Sequence, residues 1–271
     1  MRAFPAFTLA IAAALGAACG LAPAAADSND RTITLIASDS GFQPEIIGLL
    51  KDELRRQGFE LKHLVVNDIV QPNKLVEEKQ ADANFFQHEA YMTQFNADHD
   101  LHIVPAFYTT FAPSGLFSRK YKTLKEVPDG ARIGIPADPA NSGRALFMLR
   151  DAGLLKLTDG IAVVKASTQD VVENPHRYEF IEVDQLMLQR TLEDVDVGFL
   201  FPSSAILAGL NPLTDSLALE KAEGSPYRGI IGTRPELKDG PKMKALQRAF
   251  QSERIKDFYL GKYGESVVFL W

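Results

Sequence analysis

A single cysteine, Cys19, stands in the whole 271-residue sequence, so neither an intramolecular disulfide nor a Cys-rich zinc site can form. Charge of either sign is in short surplus: 29 Lys and Arg against 35 Asp and Glu leave a formal net charge of −6. Such a mildly acidic chain lacks the phosphate-neutralising excess that nucleic-acid binding needs, and no nucleic-acid partner is expected. Catalytic signatures are missing as well. There is no Gly-x-Ser-x-Gly, no Walker A loop, no Gly-x-Gly-x-x-Gly, no His-Glu-x-x-His and no calcium loop. Beyond the first residues no stretch reaches the roughly 18 uninterrupted apolar residues of a membrane span. No repeat or low-complexity tract interrupts the chain.

What is present is an ordinary folded composition, 46% hydrophobic and 24% charged, which excludes a mainly disordered or collagen-like chain. The length suits one large domain or two lobes of common size. The five histidines are His63, His88, His99, His102 and His176. His99 and His102 could share a helical face around a metal, but they read as solvated loop residues. No metal, cofactor or catalytic residue is expected.

Residues 1–26 read as a secretory leader: Met1-Arg2 carries the positive start, Ala3 to Ala18 is apolar, and Ala24-Ala25-Ala26 offers an Ala-x-Ala cleavage site. An alternative is Leu15-Gly16-Ala17-Ala18-Cys19, similar to a bacterial lipobox in which Cys19 would carry lipid, with Gly16 where that motif prefers Leu. Cleavage after Ala26 is the preferred reading. Either route puts the product outside the cytoplasm.

The body alternates strand and helix patterns. Arg31–Ala37 alternates like a strand, Glu45–Arg56 has helical apolar spacing, Phe59–Val66 returns to strand, and Ile69–Gln80 reads as helix before the apolar Ala83–Phe86. The pattern resumes with strands at Ala131–Ile135, Tyr178–Val183 and Val195–Phe201. Helices are expected at Ser142–Ala152, Asp184–Leu192 and Ser203–Gly209. Strand Gly229–Thr233 and helices Lys242–Gln251 and Ser252–Leu260 close the chain. The order favours α/β sheets with parallel strands in two lobes, residues 31–118 plus 225–271 and residues 119–224, with a solute cleft between them.

Two segments carry candidate chemistry. In Asp82-Ala83-Asn84-Phe85-Phe86-Gln87-His88-Glu89-Ala90-Tyr91, aromatics flank a Gln-His pair. Core packing with His88 capping a helix would explain it, and so would an aromatic pocket with a polar rim. In Ile135-Pro136-Ala137-Asp138-Pro139-Ala140-Asn141-Ser142-Gly143-Arg144, a strand runs through a turn into a helix with Asn141 as N-cap. Unpaired N–H groups at that helix start and Arg144 one turn in could grip a carboxylate. Arg144 could equally be a surface ion-pair partner.

Together Asp82-Ala83-Asn84-Phe85-Phe86-Gln87-His88-x-x-Tyr91 and Asn141-x-x-Arg144-Ala145-Leu146 resemble the NlpA/MetQ family, the methionine-binding lipoproteins of ABC importers. Pro72-Asn73-Lys74-Leu75, Pro113-Ser114-Gly115-Leu116-Phe117-Ser118, Asp170-Val171-Val172-Glu173-Asn174-Pro175, Ser225-Pro226-Tyr227 and Trp271 resemble further family segments in order. The resemblance implies a two-lobe periplasmic-binding-protein fold of type II. It implies a non-enzymatic substrate-binding subunit that hands a small carboxylate-bearing solute to an ABC permease and ATPase complex in the inner membrane. Phe86, His88 and Tyr91 would line the side-chain pocket, and Asn141 and Arg144 would hold the ligand carboxylate.

Three positions depart from the family, one of them Ala137 in Ile135-Pro136-Ala137-Asp138 where the family has Asn. Phe201 aligns with an Asn that meets the ligand's polar end, and Gly229 stands where Pro-Tyr-x-Asn supplies another amide. Each lost hydrogen bond to a charged group is worth about 1.5–3 kcal/mol. The expectation is an altered specificity: methionine is one candidate among small carboxylate-bearing solutes and is not expected to be bound in the family's usual way. A secreted enzyme on the same scaffold, or an interaction protein whose pocket has been filled by Phe201, are the alternatives.

Overall fold

The computed structural model describes residues 30–221 and 223–271. The leader and Cys19 lie outside the described residues.

Alternating β-branched residues form β1 (Thr32–Ala37), followed by α1 (Gln43–Arg56), β2 (Glu60–Val65), α2 (Gln71–Glu77), β3 (Ala83–Asn84), α3 (Glu89–His99) and β4 (Val104–Tyr108). These strands build a sheet in the order β2-β1-β3-β13-β4, where β13 (Ile230–Thr233) arrives from far along the chain. The first three strands are parallel, and β13 lies antiparallel to β3 and β4. α1 buries Ile46, Ile47, Leu50 and Leu54 at helical spacing against Ile33 and Leu35 of β1. Each such side chain removed from water contributes about 1.5–3 kcal/mol.

After β5 (Thr110–Phe111) the chain enters a second sheet through β6 (Gly115–Phe117). There follow β7 (Arg132–Pro136), α4 (Pro139–Asp151), β8 (Lys156–Leu157), β9 (Val171–Glu173), β10 (Glu179–Val183), α5 (Leu188–Thr191), β11 (Val197–Leu200), α6 (Pro202–Leu207) and β12 (Ala218–Leu219). The sheet order is β10-β7-β11-β6-β12. β7 runs parallel to β10 and β11, whereas β6 is antiparallel to β11 and β12. The chain then returns through β13 to the first lobe. There α7 (Pro241–Phe250) and α8 (Glu253–Tyr263) pack Leu246, Phe250, Ile255 and Tyr259 into the first core. β14 (Val268–Phe269) pairs with β5.

The architecture is therefore mixed α/β in two lobes, with three differences from the sequence reading. Neither sheet is wholly parallel, because each receives strands from a chain that crosses between lobes twice. Gly115–Phe117 belongs to the second sheet, so the crossing precedes 115 rather than following 118. The helix expected over Asp184–Leu192 shrinks to four residues, since the Asp184 carboxylate accepts the Leu186 N–H and turns the chain first.

Candidate functional site

The first wall is fixed by a buried amide network. Asn84 Nδ2 donates to Asn73 Oδ1 at 2.9 Å, Asn73 Nδ2 donates to Gln87 Oε1 at 2.9 Å, and Gln87 Nε2 donates to Asn73 Oδ1 and Asn84 Oδ1. A network satisfied in this way specifies one arrangement of the chain between β3 and α3. His88 follows immediately as the N-cap of α3, its Nδ1 accepting the Tyr91 N–H at 3.0 Å. Glu89 and Ala90 donate their N–H groups to Arg228 O and Pro226 O. The start of α3 is thus fully partnered.

The opposite wall starts from α4. Its N-cap is Asp138, not Asn141: the Asp138 carboxylate accepts the Asn141 N–H at 3.1 Å, and Pro139 takes the first helical position. Asp138 O accepts the Ser142 N–H. The N–H groups of Asn141 and Ser142, two of those expected to attract a solute anion, are therefore covered from within the chain, and Arg144 sits deeper in the helix than one turn from its cap. Burial raises the pKa of Asp138 against the hydrogen bonds it accepts from Asn141.

His88 Nε2 meets Asn141 Oδ1 at 2.9 Å. Since Nδ1 accepts from Tyr91, Nε2 carries the proton and donates. Burial, and then the nearby Arg144 guanidinium, lower the His88 pKa to about 3. The ring is neutral near pH 7. Tyr91 Oη donates to Ile69 O at 2.6 Å, and burial pushes its phenol well above 10. Phe86 meets the Tyr91 ring edge-on at 5.7 Å.

Arg144 is buried at 4% exposure and does not face bulk water. Its guanidinium lies 3.9 Å over the Tyr227 ring, with Phe199 and Phe201 at 5.4 and 5.6 Å. Nε and Nη2 donate to the two carboxylate oxygens of Glu220 at 3.0 and 2.6 Å. Nη2 also donates to Ser114 Oγ, and Nη1 donates to Asn141 Oδ1.

Between these walls lies a cavity of about 370 Å³ adjoining one of about 200 Å³. Phe86, His88 and Phe201 line both, Tyr91 and Asn141 line the larger, and Arg144 lines the smaller. The structure thus brings all six residues singled out from the sequence to the walls of these two adjoining chambers, and Phe201 does not fill them. Sequence reasoning missed Gln43, Ser114, Glu220, Tyr259 and Tyr263. Tyr259 and Tyr263 share a face of α8 at i,i+4 spacing, a legible signal, and burial pushes Tyr263 up to about 12. Glu220 sits in an ordinary-looking charged stretch with no local signal. His99 and His102 do not converge: His99 stacks on Phe95 at 4.0 Å, and His102 pairs with Glu77. Among the described residues no His, Cys, Asp and Glu group could hold a metal ion.

Two α/β lobes closing on an aromatic cavity with a polar rim define a two-lobe solute-binding protein. The chain belongs to the NlpA lipoprotein family, whose model matches residues 36–271. It is 34% identical over 263 residues to the methionine-binding lipoprotein MetQ of Bacillus subtilis, covering 96% of this chain and 95% of the relative. It is 30% identical over 256 residues to the D-methionine-binding lipoprotein MetQ of Salmonella typhi, covering 93% and 94%. Among solved structures, a nutrient-binding protein from Burkholderia cenocepacia bound to methionine is similar at a TM-score of 0.80 and 34% identity, covering 89% of this chain and 99% of that one. This membership makes the chain an extracytoplasmic substrate-binding protein rather than an enzyme. Among the described residues no helix is long and apolar enough to cross a membrane.

Proposed function

We propose that this chain captures a small, partly apolar amino acid or related carboxylate between its lobes and delivers it unchanged to an ABC permease and ATPase complex in the inner membrane. The observation that carries the reading is the convergence of residues from both lobes on two adjoining chambers: Phe86, His88 and Tyr91 from the first, Asn141, Arg144 and Phe201 from the second. Phe86, Tyr91 and Phe201 would enclose the apolar part, and Asn141 with Arg144 would meet the carboxylate end. Closure on the solute then biases the population toward the form the permease receives. The relatives' methionine binding supports the ligand's size and class. Phe201 and Gly229 support a specificity altered from methionine, because neither supplies a side-chain amide. The open volume supports a working binding site over a decayed one. The lipoprotein names of the relatives support lipidation at Cys19 over cleavage after Ala26, and intact-mass measurement of the exported protein distinguishes the two.

Isothermal titration calorimetry against a panel of amino and organic acids tests the proposal, with folded Arg144→Lys as the comparison. Binding of one panel member, weakened in the variant, supports it. If no solute binds, or if the variant binds equally tightly, the assignment of the pocket fails.

A further inference from the structure

We propose that Glu220 sets the charge preference of the cleft, acting as a built-in counter-ion that weakens Arg144's hold on a solute carboxylate. The inference rests on the reading of this cavity as a solute site. An arginine has five N–H donors. Here Nε and Nη2 form a two-point fork with Glu220, Nη2 spends its second hydrogen on Ser114 Oγ, and Nη1 spends one on Asn141. A single Nη1 hydrogen remains.

The counter-ion is held in place by its backbone. Ala218 and Leu219 pair with Leu116 and Gly115 across the sheet, Glu220 N donates to Ser114 O at 2.9 Å, and Ser114 N donates to Glu220 Oε2 at 3.3 Å. The two side chains are 3% and 12% exposed, so water screens their attraction little. Glu220 does not line either chamber, and it neutralises Arg144 from behind the cavity wall.

Among the described residues nothing else in the lining supplies positive charge. Arg144 is the one cationic residue among those that line the two chambers, Asp68 is the one acidic residue, and His88 is neutral. An entering carboxylate therefore meets a pair of zero net charge. It either takes the remaining Nη1 hydrogen while lying close to the Glu220 carboxylate, or displaces Glu220 and forfeits two charge-assisted hydrogen bonds. An uncharged amide group of the same shape faces neither cost. Glu220 is thus a specificity-determining residue that acts through Arg144 rather than by touching the solute.

Calorimetry on wild type and Glu220→Gln, with hexanoate against hexanamide and L-methionine against L-methioninamide, isolates the carboxylate in each pair. The expected result is at least a tenfold gain in affinity for both acids in the variant, with both amides within twofold of wild type. Acid affinities unchanged or weakened in the variant would overturn the role of Glu220 and leave the solute-binding reading intact. If none of the four compounds binds either protein, the carboxylate reading of the site falls, and this inference with it. Should Glu220→Gln lack the wild-type circular dichroism, Glu220→Asp serves: its shorter side chain opens the fork and raises acid affinity at least threefold, and no rise would again overturn the role.

Discussion

His88 Nε2 and Asn141 Oδ1 stand 2.9 Å apart, and this hydrogen bond joins the lobe of the first sheet to that of the second. The same Asn141 oxygen accepts from Arg144 Nη1, while Asn141 Nδ2 donates to Asp138 Oδ1 at 2.8 Å. One amide thus links the cap of α3, the cap of α4 and the buried guanidinium. Its orientation is dictated by its neighbours, since a flipped amide would put its NH₂ against two donors. The relationship makes the neutral ε-tautomer of His88 a condition of this inter-lobe hydrogen bond.

Acid should therefore weaken the fold through His88. Its folded pKa is about 3 against an ordinary 6.5, so the unfolded chain takes up a proton that the folded chain refuses. The contribution is complete above pH 6.5 and is lost as the pH falls toward 3, with a slope of about 1.4 kcal/mol per pH unit. Other groups titrate over the same range, so the useful quantity is a difference. The stability advantage of wild type over His88→Asn, from urea unfolding, should shrink steadily between pH 6.5 and 4. An advantage equal at both ends would show that His88 titrates normally.

Breaking the buried ion pair from one side should cost more than removing it. Arg144→Met strands the Glu220 carboxylate with only the Ser114 N–H, and an uncompensated buried charge costs about 3–5 kcal/mol. Arg144→Met combined with Glu220→Met removes both charges and fills similar volume. The double variant is expected to be more stable than the single one by urea midpoint. A double variant whose loss equals or exceeds the sum of the two single losses would mean that the pair is not coupled.

Phe201 and Gly229, two of the positions that depart from the family, should respond differently to restoration of asparagine. Phe201 is the N-cap of α6 and makes no side-chain cap, and Asn is among the better residues there. Phe201→Asn loses ring contacts with Phe199 and Arg144 but gains a cap, so stability should stay within about 1 kcal/mol of wild type, with methionine affinity increased. At Gly229 a Cβ would lie 2.7 Å from Thr109 Oγ1 and 2.8 Å from Thr110 O. Gly229→Asn should lose about 1–3 kcal/mol by overpacking. A Gly229→Asn protein melting at the wild-type temperature would contradict the close approach.

Local pattern made most of the first lobe readable. The strand expected over Arg31–Ala37 and the helix expected over Glu45–Arg56 followed from period and apolar spacing and are found at Thr32–Ala37 and Gln43–Arg56, whereas Phe86, His88 and Tyr91 were named as pocket residues by the family resemblance, their clustering alone fitting core packing as well. Pro139 also marked the true start of α4, since proline favours the first helical position, yet the Asn141 cap reading passed over it. What could not be read was pairing at long range. Gly115–Phe117 is short and apolar, and nothing in those three residues says which sheet receives them. Glu220 meets Arg144 across 76 residues, and the pairing depends on a crossing that local sequence does not encode.

Gly143 tests how tightly that second wall is built. It lies between Asn141 and Arg144 on α4, where an added Cβ would come within 1.9 Å of Val163 O in the 3₁₀ turn Val163–Lys165. Two effects oppose each other in Gly143→Ala. Helix propensity favours alanine by about 1 kcal/mol, while overpacking against backbone costs about 1–3 kcal/mol. The contact is with a carbonyl rather than the end of a flexible side chain, so steric cost should win and the melting temperature should fall. Helix α4 would have to shift away from the turn, carrying Asn141 and Arg144 with it, so affinity for the cognate solute should drop in parallel. A raised melting temperature would show that the turn yields freely and that helix propensity decides the outcome.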